Sequence, residues 1–415
     1  MTGKNRLTQN MDEDMEETGA NPQGPLAGLR VLELGQLIAG PFCAQLFGDM
    51  GADVIKVEPP GQGDPLRIWG RPGYPLLWSV CARNKRCITA NLREPEGQDI
   101  VRQLVRQADF IIENFRPGTM EKWGLGYEDL KKENPGIIMI RVSGYGQTGP
   151  YSKRPGYASV GEAMGGVRYL MGEPDRKPSR AGISLGDTLA GTFAALGALA
   201  ALHHREKTGE GQVVDAAIYE SILAISESLV PEYTVEHYTR ERSGSFLPAI
   251  APSNIYDGSD GMVIIAANQD TIFARLSEAM GCPDLKDDPR YATHIARGQN
   301  QAELDALIND WTKTRTIDEI EAVMIRHAVP VGKVYRARDM LEDPHYAARE
   351  ALVDMASDRW GTIKMQNVFP KLSATPGSVR WSGPETLGQH TEQVLAELLD
   401  LTPEQIGKLR SSGIV

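Results

Sequence analysis

The feature that most restricts the fold is a repeated alternation, between residues 29 and 143, of short apolar runs with stretches of helical period. Leu29 to Leu34 (LRVLEL) and Ala52 to Glu58 (ADVIKVE) have strand length, and they flank Phe42 to Met50, whose apolar positions are spaced as on a helix ending at Gly51. Two strands joined through a helix lie parallel, and near-continuous apolar runs mark strands covered on both faces. The pattern recurs as a helix over 97–108 before the strand DFIIE (109–113), then a helix over 127–134 before GIIMIRVS (136–143). It predicts an α/β fold, a doubly wound Rossmann-like domain around a parallel sheet. The Ala- and Leu-rich stretch 187–207 predicts an interior helix, followed by a strand over 212–217 and a long helix over 219–238.

After about Arg240 the pattern changes. A loop over 243–256 precedes a strand at 262–267 and helices at 271–280, 302–313 and 317–327, a second and smaller α/β lobe. Glu342, Asp343 and Pro344 mark a return connection, and the C-terminal stretch 379–415 carries another helical pattern over 391–400. A chain of 415 residues has room for two lobes. The expected division is a disordered acidic tail at 1–24, the first part of the large domain at 25–225, a linker and small domain at 226–345, and a return to the large domain at 346–415. The tail carries Asp12, Glu13, Asp14, Glu16 and Glu17 and lacks the features of a secretory or mitochondrial leader.

Charge and motif content narrow the function. A net charge of −11 argues against nucleic-acid binding, which needs clustered Lys and Arg. It leaves room for a small anion on a local basic patch. There is no uninterrupted apolar run of the ~18 residues that a membrane helix requires. Cys43, Cys81, Cys87 and Cys282 form no CxxC pair, and no His stands at zinc-finger spacing, so buried reduced thiols in a cytoplasmic protein without a metal are expected. The seven histidines form no HExxH motif, and there is no GxSxG.

Four segments could carry chemistry. Gly35 to Pro41 follows a strand and opens a helix, where backbone N–H groups and the helix dipole attract an anion; the same residues serve equally as a plain βα turn. Glu58 ends the next strand as a ribose-binding acid would, but the loop is not GxGxxG, which weakens a dinucleotide oxidoreductase. Arg83, Asn84, Lys85 and Arg86, with Arg93, form one basic cluster, and Asn114 to Gly118 with Lys122 form another at a strand's carboxyl end, where ligands of parallel sheets collect. Each reads as a phosphate-binding group or as a solvated charged surface. Finally, Gly186-Asp187-Thr188 precedes the Ala/Leu helix, where Asp187 reads as a helix N-cap or as an ionised nucleophile.

The segments PLAGLRVLEL, IAGPFCAQLFGDMGADVIKVEPPGQGDPLR, RNKRCITANLREPEG, ENFRPGTMEKWGLGYEDL, RVSGYGQTGPY, GDTLAG and LGQHTEQVL, in this order and spacing, resemble the class III CoA-transferases from Pro25 almost to the C-terminus. The resemblance implies an interlocked homodimer of large and small lobes, with acyl-CoA and carboxylic acid substrates and neither metal nor ATP. A heteromer with a paralogue would fit the same family. It implies Asp187 as catalytic nucleophile and CoA contacts at Ile38, Ala39, Ala90, Asn91, Leu92, Arg93, Asn114, Phe115, Arg116, Thr119 and Lys122. The stretches RVSGYGQTGPYSKRPGY and VFPKLSATPGSVR look most like transferases that move CoA from succinyl-CoA to malate, citramalate, itaconate or benzylsuccinate.

Two departures stand out. Ser243 to Ser253 is not the glycine run with which some members shield intermediates, and Ile38 stands where some formyl-CoA transferases have Gln. The related α-methylacyl-CoA racemases need an acid/base pair, and Tyr157 stands where they place a His. That favours transfer over racemisation.

Overall fold

A computed structural model of the chain describes residues 24–415, so all but the last residue of the acidic tail lies outside the described residues. By contact the described residues divide into two units, one of residues 24–165, 183–226 and 350–415 and the other of residues 166–182 and 227–349. Residues 166–182, which chain order alone would assign to the first domain, make their contacts in the second.

The first unit is built on six parallel strands: β1 (Arg30–Glu33), β2 (Asp53–Glu58), β3 (Lys85–Thr89), β4 (Phe110–Glu113), β5 (Ile138–Ser143) and β6 (Val213–Ala217). Their order is β3-β2-β1-β4-β5-β6, so the winding reverses between β1 and β4. Helices α1 (Ala39–Asp49), α2 (Pro95–Val105), α3 (Ala158–Met164) and α4 (Leu185–Thr208) follow or connect these strands.

The apolar runs are continuous because both sheet faces are covered. Phe110 and Ile112 point to one core with Phe47 of α1 and Ala190, Ala194 and Ala198 of α4. Ile111, between them, points to the other core with Ile100, Val101 and Leu104 of α2 and with Val394 and Leu395 of the helix Thr391–Leu399. The chain therefore returns to its first unit to complete that core. Helix α4 is long and apolar enough to cross a membrane by length and composition alone. Its buried alanines instead share one core with α1 and one face of the sheet.

The basic cluster at 83–86 requires a correction. Instead of a solvated or ligand-facing surface it is the segment that leads into β3, with Arg83, Asn84 and Lys85 buried and Arg86 partly so, all held by protein partners. Lys85 is fully buried and its ammonium lies 2.7 Å from Glu33 and donates to the Pro41 carbonyl at 2.7 Å. Arg83 grips both carboxylate oxygens of Asp49 at 3.0 and 2.6 Å, and Arg86 grips Asp53 at 2.9 and 2.6 Å. Charges taken out of water need such partners. The Asn84 N–H donates to the Trp381 carbonyl, and the Trp381 indole donates to the Lys85 carbonyl, so returning chain covers this edge.

The long helix expected over 219–238 is two helices, Ile218–Leu223 and Leu229–Glu236, and the boundary between the units falls in the gap. The second unit contains an antiparallel sheet of β7 (Ser253–Asp257), β8 (Met262–Ala266) and β9 (Val331–Lys333), packed under helices Asp270–Ala279, Gln301–Thr312 and Ile317–Arg326. Its core includes the fully buried Arg297, which donates to the carbonyls of Ala251, Tyr291 and Asn268 and to Asp270.

Candidate active site

The loop joining β1 to α1 leaves the sheet where the winding reverses, the place at which open parallel sheets bind ligands. Asn114, at the carboxyl end of neighbouring β4, holds it. Its Oδ1 accepts the Gln36 N–H and its Nδ2 donates to the Gln36 carbonyl, both at 2.8 Å. Gly35 and Gly40 run close to Asn114, where an added Cβ would stand 3.3 and 3.5 Å from its side chain. Ile38 is the N-cap residue of α1, and no side chain caps that helix. The N–H groups of its first turn thus lack intrahelical partners and a side-chain cap, as an anion site requires.

Beside this loop lies a cavity of about 570 Å³. Gln36 of the loop lines it, together with Pro59 and Pro60 after β2 and Ala90, Asn91, Leu92 and Arg93 after β3. Phe115, Arg116, Thr119 and Trp123 supply the side beyond β4. The rings of Phe115 and Trp123 meet edge to face at 5.1 Å, a firm apolar surface for a flat heterocycle. Arg93 and Arg116 are exposed at the cavity and suit phosphate groups.

A buried ion pair fixes the Phe115 loop. The Glu113 carboxylate accepts the Phe115 N–H at 2.7 Å and Arg141 Nε at 2.7 Å, and Arg141 continues to Glu121 at 2.6 Å. Burial pushes the Glu113 carboxyl up to about 7, against the pull of Arg141 and the Phe115 N–H.

Of the residues expected to contact CoA, the cavity gathers Ala90, Asn91, Leu92, Arg93, Phe115, Arg116 and Thr119. Four others do not line it. Ile38 and Ala39 are buried: Ile38 packs with Leu66, Trp78 and Cys87, and Ala39 packs with Ala190 and Ala194, so only their backbone is available to a ligand. Asn114 acts through the loop, and Lys122 is exposed at the end of the short helix Thr119–Lys122. The cavity also contains residues that local patterns did not mark: Pro59 and Pro60, Trp123, and Gly413, carried in beside the Asn91 N–H bond to the Ile414 carbonyl. The proline pair and the aromatic were readable as ligand-wall residues only once the strand ends were known.

Asp187 is not the helix N-cap. Helix α4 begins at Leu185, its N-cap residue Ser184 makes no side-chain cap bond, and Asp187 is the third helical residue. The Gly186 N–H instead donates to Oε1 of Glu162, a buried residue of α3, at 3.2 Å. The sequence pattern does not mark Glu162, because its partner is 24 residues away. A half-buried carboxylate in the first turn is favoured as the ion by the helix dipole. Gly191, one turn later on the same face, abuts α1: an added Cβ would stand 2.8 Å from the Ala39 carbonyl oxygen. The turn bearing Asp187 therefore lies beside the start of α1. Tyr157 is the exposed N-cap residue of α3. Among the described residues no cluster of three or more His, Cys, Asp or Glu side chains has the arrangement of a metal site.

Residues 26–391 match the family model for CoA-transferase family III. The chain is 56% identical over 398 residues to the succinyl-CoA–D-citramalate CoA-transferase of Chloroflexus aurantiacus, covering 95% of this chain and 99% of that protein. It is 45% identical to the beta subunit of the succinyl-CoA–L-malate CoA-transferase of the same organism, covering 94% and 98%. The crystal structure of a CaiB/BaiF family protein from Brucella suis superposes with a TM-score of 0.81 at 36% identity, covering 91% of this chain and 100% of that one. A doubly wound sheet with this cavity at its reversal point is thus the scaffold of an acyl-CoA:carboxylate CoA-transferase, and the chain belongs to CoA-transferase family III.

Proposed function

We propose that the chain moves CoA from succinyl-CoA to a C4–C5 or substituted dicarboxylate through covalent intermediates on Asp187. The observation that carries this reading is the position of the β1–α1 loop: Gln36 edges the cavity, while Ala39, three residues on, abuts the α4 face that bears Asp187. A thioester entering past Gln36 reaches the Asp187 turn along this loop. The relatives named for succinyl-CoA with citramalate or malate support the substrate class, and so does the apolar Ile38 in place of a glutamine.

The Asp187 carboxylate attacks the thioester carbonyl, the C–S bond breaks, and an aspartyl–succinyl anhydride forms with CoA thiolate. The thiolate attacks the Asp187 carbonyl carbon and succinate leaves, giving an aspartyl–CoA thioester. The acceptor carboxylate displaces the thiolate to form a second anhydride. Thiolate attack on the acceptor's acyl carbon then releases the new thioester and regenerates Asp187. Every step exchanges one activated acyl bond for another, so the sequence needs neither ATP nor a metal. In this reading N–H groups near Ala39 and in the first turn of α4, apart from that of Gly186, which is bonded to Glu162, receive the tetrahedral oxyanions, and one such donor would be worth about 3 kcal/mol in the barrier.

The family resemblance also supports an interlocked homodimer. Leu196 on α4 is 62% exposed and Val235 is 78% exposed, apolar surface of the kind that a partner covers. The test of substrate class is a panel: succinyl-CoA with D-citramalate, L-malate, glutarate, itaconate and formate, followed by thioester analysis. Transfer to a dicarboxylate supports the reading. Transfer only to formate, or α-proton exchange in an acyl-CoA without any acceptor acid, overturns it.

A further inference from the structure

The β1–α1 loop is held by a buried charge network that the proposed chemistry does not itself consume. Asp64 is 1% exposed. Its Oδ1 accepts the Leu37 N–H at 3.0 Å and the Leu66 N–H at 2.8 Å, and its Oδ2 lies 2.8 Å from the Lys56 ammonium. Lys56, also 1% exposed, reaches Glu33 at 2.7 Å and donates to the Gly35 carbonyl at 2.9 Å. Two ends of the same short loop are thus tied to one ion pair.

The tie has a conformational object. Leu37 has φ +62°, the left-handed region that a branched side chain enters only when something holds it there. Glycine would take this conformation without penalty, but the chain places leucine there and supplies an acceptor for its N–H. A buried ion pair is weak evidence for a stability role, because well-packed apolar residues serve stability as well. Burial pushes the Asp64 carboxyl up, but Lys56 and the two N–H bonds outweigh it and hold it below the ordinary carboxylate range. The acceptor is thus charged at neutral pH.

We propose that Asp64 is a positioning residue for CoA transfer: by locking Leu37 it fixes the direction of the N–H groups at Ile38 to Gly40 toward the carbonyl that reacts beside Asp187. The proposal rests on the Asp187 reading above. Asp64 does not line the cavity, and Gln36, which does, is held separately by its two bonds to Asn114, so loss of the lock leaves the walls at Ala90–Arg93 and Phe115–Thr119 in place and acts on the rate of acyl transfer more than on CoA affinity.

The test is rapid-quench measurement of the Asp187 adduct from succinyl-CoA in full-length wild type, Asp64→Ala and Asp64→Asn, with CoA affinity from calorimetry. Adduct formation slows about 10- to 100-fold in Asp64→Ala, since misplacement of catalytic groups by ~1 Å costs about that much. Asp64→Asn keeps an acceptor for the Leu37 N–H but loses the pairing with Lys56, and its rate falls between the two. CoA affinity stays within about threefold in both, the separation expected when only transition-state interactions change. If Asp64→Ala does not fold, Asp64→Asn carries the test alone: a lowered melting temperature with a wild-type adduct rate marks a merely structural role and overturns the proposal. A folded Asp64→Ala with wild-type adduct kinetics does the same. Absence of an Asp187 adduct in the wild type overturns the covalent reading itself.

Discussion

Gly191→Ala separates the placement of Asp187 from the binding of CoA. Gly191 lies where α4 crosses α1, and its added Cβ would stand 2.8 Å from the Ala39 carbonyl oxygen, 3.0 Å from the Phe42 ring and 3.1 Å from the Cys43 nitrogen. Two of these atoms are backbone, so no rotamer change relieves the contact. The helix must withdraw by ~0.5 Å, and a gap of that size forfeits about a quarter of the local dispersion energy. Overpacking of this kind costs about 1–3 kcal/mol. Replacing glycine within a helix returns about 1 kcal/mol. The net loss of stability is therefore about 0–2 kcal/mol, and the variant folds. The withdrawn turn follows the one that bears Asp187 on the same helix face, so the Asp187 turn moves with it and kcat falls about 10- to 100-fold. No α4 residue lines the cavity, so CoA affinity stays near the wild-type value. Calorimetry with CoA beside steady-state transfer kinetics reads both quantities. A Gly191→Ala enzyme with unchanged or raised stability and full kcat would refute the tight α1–α4 contact as the device that places Asp187.

Phe115→Ala removes one face of the Phe115–Trp123 surface. If that surface receives the adenine ring, CoA binding weakens by about 1–3 kcal/mol, as for other base–aromatic stacks, and an unchanged dissociation constant removes the ring from the site. His390 provides a pH prediction. Its Nδ1 accepts the Cys87 N–H at 3.1 Å, and burial together with the Arg86 charge holds its pKa below the ordinary imidazole value. The unfolded chain therefore binds the proton more readily. The stability from this contact is full above pH ~6.5 and is lost as the pH falls below it toward the lowered folded value. Thermal melts between pH 8 and 5 show this loss, and His390→Asn flattens it; equal slopes in the two proteins would contradict the assignment.

Much of the first unit was legible because its strands are buried on both faces. Phe110, Ile111 and Ile112 alternate between two apolar cores, so the strand reads as one apolar run. β3 was hidden for the opposite reason: Lys85 and Arg86 belong to a strand whose charges are neutralised by Glu33 and Asp53, partners on other strands that no local pattern reveals. β7 escaped detection because its strand, SNIYD, is short and half polar. At the site, the basic and aromatic groups after β4 were readable from their place at a strand end. Glu162 and Asp64 were not, since their roles arise from backbone N–H groups 24 and 27 residues distant along the chain. Asp187 was found through family resemblance; its place inside α4, rather than ahead of it, depends on a helix start at Leu185 that carries no side-chain cap.

The most direct test of the central claim is to incubate the enzyme with succinyl-CoA, quench with hydroxylamine or borohydride, and map the modified residue by mass spectrometry. The account predicts a single adduct, on Asp187, that is lost together with transferase activity in Asp187→Ala. Label on another residue, or full activity in Asp187→Ala, would contradict it.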